Sequence, residues 1–216
     1  MHWMNFRRWA YALMLMPVTA LMATPVFAKM IRFTIDRKAS HIVATVDQPL
    51  ARMQGSVAGS FEIITGEIDG DPADPAGTGH IDIVINATTY TSGNTHRDNV
   101  VLHDALETRF YPIIKFVSTR IENLKWDQQG VSGTATIVGN LRLHGVIKEI
   151  KVPVNGFYAT DGSFSADGDY QFDCTDFGIT PPRGLFGTLQ AGKMVDLNFR
   201  IVANPDDAPA ATPTPP

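Results

Sequence analysis

A single cysteine, Cys174, stands in a chain of 216 residues, so no internal disulfide can form and the core must supply the stability. Clusters of lysine and arginine are missing too. Eighteen basic residues face 22 acidic ones, for a net charge of −4, a balance poorly suited to nucleic acid or to an anionic membrane surface. Beyond the first residues no segment is apolar enough to span a bilayer. The chain has no Gly-x-Ser-x-Gly elbow, which removes the usual support for a serine nucleophile. His96-Arg97-Asp98 and Asp176-Phe177-Gly178 spell two kinase signatures, but they lie 80 residues apart. Neither a Gly-rich phosphate loop nor a strand lysine accompanies them, so the kinase reading fails. His96, Asp98, His103 and Asp104 crowd one stretch without a recognised ligand spacing, and no metal is expected there.

What is present begins at the N-terminus. Arg7 and Arg8 precede an almost wholly apolar run, Trp9 to Ala23, and Val26-Phe27-Ala28 follows. That order of charge, apolar run and small residues predicts a secretory signal peptide over residues 1–28, cleaved after Ala28. The run is too short for a spanning helix and Pro17 interrupts it. Cleavage would remove two bases and no acid, taking the net charge to −6. At the other end, residues 204–216 (NPDDAPAATPTPP) lack apolar periodicity and predict a disordered tail. One domain is expected over residues 29–203.

Within that domain, alternation of period two dominates. Ile31, Phe33 and Ile35 alternate with polar residues, Ile81, Ile83 and Ile85 alternate with Asp82, Val84 and Asn86, and Ile114 and Phe116 follow Pro112. Long β-type runs occupy 131–143 and 147–157, and 164–173 and 195–202 alternate again. These predict eight or nine strands. One stretch departs from the pattern: residues 98–108 place Val101, Leu102, Ala105 and Leu106 at helical spacing, with Asp98 expected to cap the first turn. The chain is therefore expected to be all-β and antiparallel with one short connecting helix. Periodicity alone leaves a sandwich and a closed barrel both open.

Six short motifs, in order, narrow that choice. They are Ile35-Asp36 with Ala39-Ser40-His41-Ile42, then Val57-Ala58-Gly59-Ser60-Phe61 leading to Gly66-Glu67-Ile68. Next come Thr91-Ser92-Gly93-Asn94 with Arg97-Asp98, and Phe110-Tyr111-Pro112 with Ile114-Lys115-Phe116. Gly139 to Lys148 (GNLRLHGVIK) and Asp176-Phe177-Gly178-Ile179 complete the set. Together they resemble the YceI family of bacterial periplasmic polyisoprenoid-binding proteins. The resemblance implies an eight-stranded, lipocalin-like antiparallel barrel with an apolar bore, located in the periplasm. Its implied role is to carry a long isoprenoid, polyprenyl or quinone-like, with no other cofactor. Ile147, where the family usually has Thr, and the Pro181 to Phe186 loop are departures.

Phe61, Ile83, Ile85, Phe116, Leu141, Leu143, Phe172 and Phe199 are the expected lining, being apolar positions on alternating strands. The competing reading for each is ordinary core packing, since small eight-stranded barrels are often filled by their own side chains. Arg97 and Asp98 are expected at the mouth, where Arg97's forked donors suit an oxygen-rich head group, or else as a structural pair satisfying the helix and its loop. His144 joins them as a head-group candidate, against a plain role in the tight turn with Gly145. Two other functions compete with the carrier: an enzyme acting on such a lipid through His144, Asp98 or His103, and a filled barrel that serves as an interaction module. The sequence leaves room for a homodimer.

Overall fold

The computed structural model describes residues 30–47, 56–184 and 189–206. The expected signal peptide lies outside them, as does the tail beyond Asp206. Eight strands follow one another in chain order around a closed barrel. The first three are each interrupted: β1 comprises Ile31–Ile35 and His41–Val46, β2 comprises Val57–Phe61 and Ile64–Gly70, and β3 comprises His80–Asn86 and Tyr90–Thr91. The others are continuous: β4 Ile113–Trp126, β5 Ser132–Leu143, β6 Val146–Tyr158, β7 Phe164–Asp173 and β8 Met194–Pro205. Every neighbouring pair is antiparallel. β8 closes the ring on β1, pairing Leu197 with Ala44 and Ile35 with Ala203. This closure decides between barrel and sandwich.

The interruptions are local and capped. Asp36 ends the first half of β1 and accepts from the Lys38 amide at 2.8 Å, while Ser40 Oγ accepts from Val202 N at 2.9 Å across the break. In β2 the break at residues 62–63 is held from the next strand, where Thr89 Oγ1 accepts from both amides at 3.2 Å. In β1 and β2 the register thus passes across the break and both halves face the same neighbours, whereas Tyr90–Thr91 of β3 pairs with β2 alone.

Strand ends alternate between two ends of the cylinder. At the base lie the short connections 71–79, 127–131 and 159–163. The mouth carries 92–112, the His144-Gly145 turn, 174–184 and 189–193. A one-turn helix, α1 (Pro75–Thr78), caps the first base connection, with Asp74 accepting from Gly77 N. Four residues carry no periodicity, so the sequence shows no sign of this helix. The expected mouth helix is α2 (Thr95–Val100), which widens into a π turn over Val101–Ala105. Its cap is Asn94, which accepts from Arg97 N at 3.0 Å, and not Asp98 as expected. Asp98 sits inside the first turn, with its carboxylate turned back to Ser92. At the C-terminus β8 continues to Pro205, pairing Asn204 with Thr34. The domain therefore runs past the expected boundary at Ala203, because β1 offers those residues a partner.

Candidate functional site

The strands turn their apolar residues toward the axis, and the barrel is not filled by them. A cavity of about 590 Å³ runs inside it, within the roughly 300–1,000 Å³ typical of small-molecule sites. A 14-residue strand such as β4, rising about 3.3 Å per residue and tilted about 40°, makes the wall roughly 35 Å tall. The cavity lining extends over the length of that wall, from Asp71 and Pro72 at the base to Arg97 and Leu106 at the mouth.

Glycines keep it open. Phe116 lies across Gly139, and Phe199 across Gly168, where an added Cβ would come within 2.6 and 2.9 Å of the rings. Tyr90 likewise covers Gly59. With no side chain beneath them, these rings lie flat along the wall and leave the axis free. Ala44, Ala135 and Ala166 line the same space and add little bulk.

The base is shut by aromatics. Tyr158 packs on Phe33, Trp126 and Phe164, with ring centroids 6.3, 5.6 and 4.9 Å away. At the mouth, α2 and the π turn contribute Arg97, Val100, Val101, Ala105 and Leu106 to the lining. One further feature marks the wall: β6 and β7 pair only from Phe164↔Tyr158 to Asp167↔Asn155, near the base. Toward the mouth the ladder between them stops. The turn Cys174–Phe177 supplies the contacts there, with Phe177 just 1% exposed between Phe172 of β7 and Lys148 of β6. Lys148 also reaches Asp176 at 3.2 Å.

The eight expected lining residues, Phe61, Ile83, Ile85, Phe116, Leu141, Leu143, Phe172 and Phe199, all face the cavity. The three polar candidates separate. Arg97 lines the mouth, but its Nε donates to Ser92 Oγ at 2.7 Å and its Nη2 to Ser92 O at 3.1 Å. Asp98 does not line the cavity. Its carboxylate accepts from the Ser92 hydroxyl and amide and from Thr91 Oγ1, which holds it below the ordinary carboxylate range. Together the pair fastens the helix to the end of β3. His144 is also off the cavity. In a two-residue turn that places it at φ 50° and Gly145 at φ 77°, its Nε2 lies 2.7 Å from Glu107 Oε2 and its Nδ1 3.3 Å from the Phe177 carbonyl. Tyr111 packs on its ring at 4.4 Å. His144 thereby ties three mouth connections together, a job that needs a forked side chain in the left-handed region. His103 is exposed on the outer side of the helix. The groups named for an enzyme, His144, Asp98 and His103, thus have three separate sets of neighbours.

Sequence reading missed the tyrosines. Tyr90, Tyr158 and Tyr170 line the cavity, and burial pushes all three hydroxyls above their ordinary value. They are donors facing an otherwise apolar space. Alternation places Tyr158 and Tyr170 on the inward parity, which was the available signal, whereas Tyr90 faces inward only because the turn at Ala87–Thr89 shifts the parity of its strand. Cys174, buried at the mouth end of β7, has its thiol pushed up by burial and is a poor nucleophile.

Comparison with known proteins follows the same outline. A family model described as the YceI-like domain matches residues 33–203. A UPF0312 protein of Pseudomonas putida (strain W619) is 28% identical over 166 residues, covering 73% of this chain and 81% of that protein. Another, from Pseudomonas syringae pv. syringae (strain B728a), is 29% identical over 177 residues, covering 79% and 85%. Among solved structures, BcnA of Burkholderia cenocepacia superposes with a TM-score of 0.64 at 22% identity, over 79% of this chain and 99% of that one. A polyisoprenoid binding domain from Saccharophagus degradans, implicated in plant cell wall breakdown, gives 0.62 at 14% identity, over 80% and 98%. At these identities the structural likeness speaks for the fold.

Proposed function

This chain belongs to the YceI-like family, and from that premise we propose that it is a periplasmic carrier holding one long isoprenoid, polyprenyl or quinone-like, in its bore without altering it. The observation that carries the reading is the long, apolar, unfilled cavity. The likeness in fold to a domain known as polyisoprenoid-binding supports the ligand class. The N-terminal charge and apolar pattern supports export, and no helix among the described residues is long and apolar enough to cross a membrane. A bound prenyl chain that hides about 400 Å² of apolar surface gains on the order of 10 kcal/mol before its ordering costs. Tyrosine hydroxyls and the remaining Arg97 N–H groups suit a head group that only accepts hydrogen bonds, such as a quinone carbonyl.

The test is mass spectrometry of an organic extract from protein purified without detergent, followed by titration of the stripped protein with a prenylquinone. A stoichiometric prenyl lipid, or saturable uptake, is expected. Ala135→Trp places a large ring on the cavity wall opposite no glycine and should abolish uptake while the circular dichroism spectrum stays that of the wild type. Repeated extracts without lipid, together with no uptake by the stripped wild type, overturn the reading.

A further inference from the structure

An apolar cargo raises the question of how it leaves, since passing through water forfeits the burial that holds it. The outer rim of the mouth carries a surface suited to that step. Phe110, Ile113 and Ile147 are 69%, 45% and 62% exposed. The register places them together. Arg142 of β5 pairs directly with Ile147 of β6 and with Lys115 of β4. Leu141 and Leu143 point inward, so Arg142 and its partners point out. Ile113 sits two residues mouthward of Lys115 on the same face, diagonal to Arg142, within side-chain reach. Phe110 precedes Ile113 by three residues and adjoins Tyr111, which packs on the His144-Gly145 turn.

Two cations complete the patch. Arg109 lies over the Phe110 ring at 5.9 Å, and Arg142 is exposed. Neither makes an ion pair among the described residues. On this end Glu107 is engaged by His144, Asp176 by Lys148, Asp173 by Lys193 and Asp98 by Ser92, while Asp47 and Asp104 are exposed without an ion pair among the described residues. The base differs. Its connections hold Asp71, Asp74, Asp127, Asp161 and, at the terminus, Asp206, without a single lysine or arginine. The net charge taken as a whole disfavours an anionic surface, but its distribution turns only the base away from one.

We propose that the mouth rim, through Phe110, Ile113 and Ile147 flanked by Arg109 and Arg142, docks on the surface of an anionic phospholipid bilayer. Apolar tips enter the head-group layer while the arginines meet lipid phosphates, and the acidic base points the opening toward the membrane. Its use in cargo transfer rests on the carrier reading, whereas the docking itself does not.

The test is sedimentation of the full chain with vesicles of phosphatidylcholine alone or mixed with phosphatidylglycerol, free of any prenyl lipid. Binding is expected on the mixed vesicles at low salt, falling as salt rises and weak on phosphatidylcholine. Arg142→Glu and Arg109→Glu should each weaken it at least about fivefold, and Phe110→Asp should weaken it further. None of these residues faces the bore, so prenylquinone uptake from detergent solution should be unchanged in all three variants, which separates this proposal from the carrier reading. Asp127→Asn at the base should leave vesicle binding as it was. Docking is overturned if the wild type stays in the supernatant with anionic vesicles, or if the rim variants sediment with them as the wild type does. A concentration-dependent dimer lost in Phe110→Asp, without vesicle binding, overturns it as well and assigns the patch to a second copy of the chain.

Discussion

The two ends of the barrel solve opposite problems with the same strands. At the base, connections of five to nine residues are stitched by their own aspartates: Asp127 accepts from Val131 N at 2.8 Å, and Asp161 from Ser163 N at 2.9 Å. Above them Trp126, Tyr158, Phe164 and Phe33 fill the cross-section. At the mouth the connections after β3 and β7 are longer, the helix loosens into a π turn, and Glu107 and His144 both adopt positive φ. Short, self-satisfied turns let large rings close one end, whereas a long connection held by a few side-chain links leaves the other able to open. The difference makes the barrel a cup rather than a pipe.

The largest effect expected is at the mouth wall. Phe177→Ala removes a fully enclosed ring where the β6–β7 ladder is absent, and should cost about 3–5 kcal/mol in urea unfolding. A loss below about 1 kcal/mol would mean that the turn does not seal that wall. At the base, Trp126→Ala takes away a half-buried ring and should cost about 2 kcal/mol, less than full burial would imply. It should also speed release of bound prenylquinone in stopped-flow, because the cup gains a second opening. Unchanged release would show that Tyr158 alone is the floor.

A smaller change probes the link between mouth connections. His144→Asn keeps a residue that tolerates the left-handed region but loses the reach to both Glu107 and Phe177. Faster amide exchange across Thr95–Leu106 is expected, with a global loss near 1 kcal/mol, since Glu107 is half exposed and its ion pair is screened. Exchange equal to wild type would show that Asp98, through Ser92, holds the helix by itself. The smallest effect concerns Asp173, whose carboxyl is lowered to about 2 by Lys193, with Thr175 helping. A depressed carboxyl stabilises above its unfolded value of 3.8 and loses that contribution as pH falls toward 2. Asp173→Asn should therefore lower the Tm slightly at pH 7 and not at pH 2.

Much of this was legible beforehand, for reasons that particular residues make plain. Ile81, Ile83 and Ile85 could be assigned to the inner face because strand parity is strict over seven residues. The breaks at 36–40, 62–63 and 87–89 were not foreseen as interruptions of single strands. They are defined by partners across the sheet, such as Thr89 serving residues 62 and 63. Arg97 and Asp98 were expected at the mouth, but their bonds to Ser92 depend on where the helix starts, and Asn94 rather than Asp98 starts it. His144 was visible as a turn residue, while its partners lie 37 and 33 positions away in the chain.

By itself the sequence determined that this is one antiparallel domain with its oily residues on one strand face, because parity and turn chemistry act over a few neighbouring residues. Only the tertiary structure decided that the inside stays hollow. That outcome depends on which ring meets which glycine across the sheet, Phe116 over Gly139 and Phe199 over Gly168, and such meetings are set by register between strands, which no local pattern encodes.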